Sequence, residues 1–245
     1  MNAIQRRQVV AAFSAAADYD HHARVQRLVA RRLAAQIADL PLPPAPRVLE
    51  IGCGTGFLTE ALVEHGLASR GLITDISPEM VERCRARVGE SDGRRFTVLD
   101  GEYGTPEGQF DIVCSSLAMQ WFDDHAGAFA RMSGWLAPGG HCIVTTLGAG
   151  SFAEWRAAHA AEGLEPGTPA FQPADNLTPQ RIDRYVETHE SALDFMRSLK
   201  AIGAHTAAHR HRPLPPSALR RVMRHFEAGG GAVSYEVVTC HYRRP

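Results

Sequence analysis

Residues 48 to 56 read Val-Leu-Glu-Ile-Gly-Cys-Gly-Thr-Gly, and this run restricts what the chain can fold into more than any other. An apolar, strand-like segment, 47 to 51, passes directly into Gly52, Gly54 and Gly56, and a helical pattern follows over 57 to 65. Glycine suits such a turn because it takes positive φ without strain and carries no Cβ to keep a ligand from the backbone. In open α/β sheets this turn lies at the carboxyl edge of the strands, where ligands bind. Taken alone, it is equally a tight strand-to-helix connection.

The chain downstream keeps the same rhythm. Short apolar runs at 71 to 74, 95 to 98, 110 to 115 and 141 to 146 alternate with helical patterns at 78 to 88 and 124 to 136, which predicts parallel strands joined by crossover helices. Ser77 and Pro78 form a cap and first turn for the helix over 78 to 88. Upstream, residues 22 to 40 space apolar positions by three and four, and Pro41, Pro43, Pro44 and Pro46 end that helical arm. After Thr146 the rhythm breaks into a Gly- and Pro-rich stretch around a helical piece, 151 to 161, read as an inserted cap. Thr178-Pro179 predicts a further short helix, 185 to 190 a strand, and 191 to 202 and 217 to 227 helices. The β-rich end, 232 to 242, follows three glycines and predicts a final antiparallel strand. The expectation is an α/β, doubly wound, mostly parallel seven-stranded sheet forming one domain over 1 to 245. Its parts are an arm (1 to 40), a ligand-binding core (47 to 146), a cap (147 to 180) and a C-terminal part (181 to 245).

Composition narrows the class. With 44% hydrophobic and 22% charged residues and a net charge of -1, the chain reads as a globular protein, neither disordered nor a general nucleic-acid binder. Lys200 is the one lysine among the 26 basic residues, a bias of composition with no functional weight. No apolar run reaches the roughly 18 residues of a membrane span, and residues 1 to 20 lack a secretory pattern. A cytoplasmic monomer without membrane or nucleic-acid partners is expected. The five cysteines form no Cys-x-x-Cys pair and read as reduced, buried thiols. The 12 histidines show no recognisable metal-ligand spacing, so no metal is expected.

The glycine spacing and one acid point to a cofactor. Dinucleotide enzymes place their third glycine three residues after the second, whereas Gly56 follows Gly54 by two, and Glu50 precedes the loop. A carboxylate there opposes a pyrophosphate and suits the sulfonium and ammonium groups of S-adenosylmethionine (SAM). Asp75, ending the second strand, can accept both ribose hydroxyls, a role shared with nicotinamide enzymes. Asp100-Gly101-Glu102, after the third strand, can meet an adenine ring, or is simply a turn.

These residues, with Phe110 to Ser115 as fourth strand and Leu136 to Gly140 as the turn into the fifth, resemble the class I SAM-dependent methyltransferases, a Rossmann-like family. The resemblance assigns Gly52, Gly54 and Gly56 to the methionine part, Asp75 to the ribose and Asp100 to adenine, with Glu50, Cys53, Ile76, Gly101, Glu102 and Ser115 as further residues of the same cofactor site. The product is then S-adenosylhomocysteine (SAH). Phe13 to Asp20, Ala23, Gln26, Ser115 to Phe122, Gly150 to Phe152 and Leu199 to Ala204 together look like the malonyl-acyl carrier protein O-methyltransferases of biotin synthesis. That likeness implies methyl transfer to the carboxylate of a malonyl thioester, carried by acyl carrier protein or coenzyme A. Small-acid enzymes similar to the trans-aconitate methyltransferase share the run after the fourth strand, so a free acid stays open as acceptor.

No His/Asp base pair is evident, and a carboxylate acceptor, ionised at neutral pH, needs none. Tyr19 positions methionine or acceptor, or anchors the arm. Gln120 is a polar acceptor contact. Trp121 and Phe122 bind acceptor or fill the core. Arg156 clamps the malonyl carboxylate or pairs on the surface. Arg212, Arg220, Arg221 and Arg224 form a docking face for an acidic carrier protein, or a solvated basic face.

Overall fold

In the computed structural model, residues 11, 19–169, 171–173, 179–202 and 213–245 are described. Seven strands make one sheet: β1 (Arg47–Ile51), β2 (Arg70–Asp75), β3 (Arg94–Val98), β4 (Phe110–Ser116), β5 (Leu136–Leu147), β6 (Arg181–Thr188) and β7 (Ala232–Arg243), in the order β3-β2-β1-β4-β5-β7-β6. β1 pairs in parallel with β2 and β4, and β7 runs antiparallel between β5 and β6. The strand order reverses between β2 and β4, on either side of β1, so the turn after β1 opens at the switch point where α/β sheets bind ligands.

Helices cover both faces, and the period-two alternation of the buried strands decides which side chain meets which layer. Val48, Ile112, Cys114 and Ile143 pack with α2 (Arg24–Ala38) and α3 (Phe57–Glu64). Their neighbours Leu49, Ile51, Val113, Cys142 and Val144 pack on the opposite face with Met132 of α5 (His125–Gly134). Glu50 therefore shares a face with Val48 and lies beneath α3. α4 (Pro78–Val88) begins as anticipated, with Ser77 Oγ accepting from Met80 N at 3.2 Å and Pro78 in its first turn. A third apolar cluster unites α6 (Ala153–Ala160), α7 (Ala192–Ala201) and α8 (Pro216–Ala228) around Phe152, Trp155, Phe195 and Phe226, over β6 and β7. The arm ends in a short helix, α1 (Tyr19–His22), just before α2. No helix among the described residues is long and apolar enough to cross a membrane.

Three expectations change. No helix follows Pro179: Gln180 is a bend and β6 begins at Arg181, while Thr178 lies outside the described residues. The strand anticipated at 185 to 190 accordingly runs from Arg181 to Thr188, because its partner β7 is long enough to pair with all of it. The segment 136 to 140, anticipated as a turn, already belongs to β5, with a register shift against β4 between Phe110 and Ile112. Pairing with β4 overrides the local Pro-Gly-Gly signal there.

Candidate active site

A cavity opens at the carboxyl ends of β1, β2 and β4, and the glycine loop forms its floor. Gly52, Gly54 and Gly56 all take positive φ, at +73°, +53° and +95°. A Cβ on Gly52 would stand 2.5 Å from the Ala118 Cβ, so only glycine lets this loop pass the loop after β4. At Gly54 an added Cβ would meet nothing within 4 Å, which is where a ligand can lie on the backbone. Gly56 does not line the cavity; a Cβ there would press on Cys84 and Arg87 of α4, so its smallness serves helix packing.

Acids surround this floor. Glu50 is buried, accepts from the Thr59 hydroxyl at 2.7 Å, and its carboxyl is pushed up to about 7 by burial, with the Thr59 bond opposing and the charge of Asp75 adding. Asp75 accepts from Gly54 N at 2.9 Å through one oxygen and from Ser77 N at 2.9 Å through the other. Burial raises its carboxyl while those amide bonds hold it down. Cys53 lines the cavity and hydrogen-bonds Cys84, which with burial holds its thiol well above the ordinary range; all five cysteines are free and buried.

Beyond β3, Asp100 accepts from Glu102 N at 2.9 Å and Tyr103 N at 3.1 Å, while buried Glu102 accepts from Asp123 N at 2.8 Å and Asp124 N at 2.9 Å. Asp100 thus closes the loop on itself, and Glu102 pins it to the start of α5. Gly101 is required by closeness, since a Cβ would fall 2.2 Å from Ile51 Cγ2. Asp100, Gly101, Glu102 and Ile76 all line the cavity.

The far wall comes from the arm and from the loop after β4. Tyr19 lines the cavity, and burial, with the charges of Asp75 and Asp20, raises its phenol. Trp121 and Phe122 line it too, beside Leu117, which is held at φ +50°. Gln120 is not in the lining: its Nε2 donates to the Leu117 carbonyl at 2.6 Å and its Oε1 accepts from the Thr146 hydroxyl at 3.4 Å, stapling that strained turn to β5. Ser115 is also outside the lining, its buried hydroxyl without a partner among the described residues, and the next residue, Ser116, faces the cavity instead. Arg156 donates to the carbonyls of Ser151 and of Ala149, the latter at 2.7 Å, bracing the turn after β5, and it does not line the cavity. Arg220, Arg221 and Arg224 share a separate surface groove on α8, with Arg221 Nε on Glu162 at 2.6 Å; Arg212 lies outside the described residues.

Three residues not named as site residues from the sequence also line the cavity: Gln26, seen there only as part of the resemblance, Thr55, and Ser77, seen only as a helix cap. Gln26 was legible in principle, because it lies four residues before buried Ala30 and so shares its helix face. Thr55 and Ser77 gave no such signal, since a loop hydroxyl and a helix cap look alike wherever they fall.

The arrangement fits SAM. Glu50 is a buried acid that can take up its charge opposite a cation, the Gly54 backbone is open to a ligand, and Asp75, Asp100 and Glu102 line the same cavity. Residues 49–144 match the family described as "Methyltransferase domain". The biotin biosynthesis bifunctional protein BioCD of Bordetella avium is 42% identical over 98% of this chain, which spans about half of that relative's length (53%). The malonyl-acyl carrier protein O-methyltransferase of Magnetococcus marinus is 38% identical, with 95% of this chain and 90% of the relative covered. Among solved structures, the YcgJ protein of Bacillus subtilis superimposes with a TM-score of 0.57 at 15% identity, over 87% of this chain and 98% of its own, a likeness of fold. The chain belongs to the malonyl-acyl carrier protein O-methyltransferase family of SAM-dependent enzymes.

Proposed function

We propose that this protein transfers a methyl group from SAM to the free carboxylate of malonyl-acyl carrier protein, giving a methyl ester used in biotin formation. The observation that carries this is the reach of the likeness to the Magnetococcus enzyme. It runs over 95% of the chain, beyond the cofactor core into the arm and cap from which an acceptor site is built.

The cavity's chemistry is in keeping. Bound SAM supplies the methyl group as a sulfonium electrophile. A malonyl carboxylate is ionised at pH 7, so no residue has to take a proton from it. What remains is alignment and exclusion of water, and alignment alone removes about 7 to 11 kcal/mol of barrier in well-oriented systems. Phe57, Leu117, Trp121 and Phe122 supply apolar walls. Gln26 and Ser116 supply donors, and the Gln26 side-chain amide has no hydrogen-bond partner among the described residues. We assign Gln26 the acceptor carboxylate, in place of Gln120 and Arg156, whose donors are engaged by the protein. The exposed Arg220 and Arg224 are the docking charges for the acidic carrier.

Incubation with labelled SAM and malonyl-acyl carrier protein, read by mass spectrometry, tests the reading. A methyl ester on the malonyl group is expected. Turnover of trans-aconitate or another small free acid, with none on malonyl thioesters, would overturn it.

A further inference from the structure

Asp20, beside Tyr19, makes contacts that methyl transfer does not call for. Its Oδ1 accepts from the Thr55 hydroxyl at 2.7 Å, its Oδ2 pairs with the Arg87 guanidinium, and its carbonyl accepts from Arg27 Nη2 at 2.8 Å. Arg87, in the last turn of α4, also donates Nε to the Thr55 carbonyl at 2.6 Å and stands 3.5 Å from Glu60. The guanidinium groups of Arg27 and Arg87 lie 4.8 and 4.7 Å from the Phe57 ring centre, within cation–π range, and the Tyr19 ring lies 6.2 Å from the same ring. Arm, glycine loop and α4 are thus clasped together at Phe57.

Location makes this clasp more than a brace. α1 has four residues, none of them more than partly covered from solvent, and a helix that short has no stability of its own. Its place depends on what Asp20 grips, and Tyr19, one Cα away, goes where Asp20 is held. Thr55 lines the cavity and also carries the grip, so the glycine loop that seats the cofactor is the part to which the arm is tied.

We propose that Asp20 and Arg87 are positioning residues that close the arm over the cofactor, making cofactor seating and placement of Tyr19 a single event. This rests on the SAM-binding reading and is independent of the acceptor.

Calorimetry with SAH tests it without any acceptor present. Charge-assisted hydrogen bonds are worth ~1.5 to 3 kcal/mol, so Asp20→Ala and Arg87→Met are each expected to weaken SAH binding at least about tenfold. The double variant is expected to be no weaker than the worse single one, as for partners in one contact. Asp20→Glu is expected to recover part of the loss. SAH should shield Arg24 and Arg27 from trypsin in the parent protein and not in the variants. Unchanged SAH affinity with a lowered Tm, or losses that add in the double variant, would overturn the proposal and leave a structural brace. Should Arg87→Met disturb α4, Asp20→Ala on the half-exposed arm decides alone. Absence of methyl transfer to malonyl-acyl carrier protein with the SAH results intact would strike the function reading only.

Discussion

A glutamate titrates near 4.5 in an unfolded chain, and burial lifts Glu50 to about 7 in this fold. Between those values the folded protein holds the extra proton, so stability falls as pH rises from about 4.5 to 7, and the cost is fully present above 7. Its upper bound is roughly 3 kcal/mol, at about 1.36 kcal/mol for each pH unit across that interval. Glu50→Gln is expected to raise the Tm of the ligand-free protein at pH 8, to raise it much less at pH 5, and to weaken SAM binding; a Tm gain equal at both pH values would refute this. The cofactor carries the opposite charge, so binding should expel the proton. SAM affinity should fall about tenfold per pH unit below 7, with net proton release when calorimetry is run in buffers of different ionisation heat. Gly52→Ala should disable folding or binding through its clash with Ala118, whereas Gly54→Ala, with open space above it, should fold and lose mainly cofactor affinity.

The turns between elements hold positions that propensity alone would leave loose. Gln120 bonds the Leu117 carbonyl and the Thr146 hydroxyl across β4 and β5, near a residue held at positive φ. Gln120→Ala is expected to cost about 1 to 2 kcal/mol, read by urea denaturation, with the KM for acceptor little changed. Gln26→Ala should do the reverse, raising the acceptor KM while stability stays near that of the parent. α6 is docked by Glu154, which accepts from the Ser234 amide and hydroxyl at 2.9 and 2.5 Å and from Arg184 at 2.9 Å. These bonds lower its carboxyl against the opposing effect of burial, so this anchor is intact at neutral pH and weakens as pH falls below the usual carboxylate range.

At the scale of the molecule, a cofactor cavity and a basic surface on α8 lie on separate parts of one chain. If Arg220 and Arg224 receive the carrier, Arg220→Glu with Arg224→Glu should raise the KM for malonyl-acyl carrier protein several-fold and leave malonyl-coenzyme A turnover unchanged. Added salt should mimic that difference for the parent protein, because exposed charge pairs are screened; equal salt responses would count against the docking face. Five parallel strands, their crossover helices and the acids Glu50, Asp75 and Asp100 were legible in the sequence, because strand period, helix caps and glycine turns are written in adjacent residues. β6 was placed late and short, since an edge strand with exposed Ile182 and Val186 lacks the buried alternation that marks a strand. By itself the sequence determined the sheet, the glycine turn at its carboxyl edge and the class of cofactor. Only the tertiary structure decided that Gln120 and Arg156 serve the protein's own backbone, that Ser116 faces the cavity in place of Ser115, and that Asp20 grips Thr55 and Arg87. Those are contacts between residues far apart in the chain, and no local pattern encodes which partner a polar side chain meets once the sheet has closed.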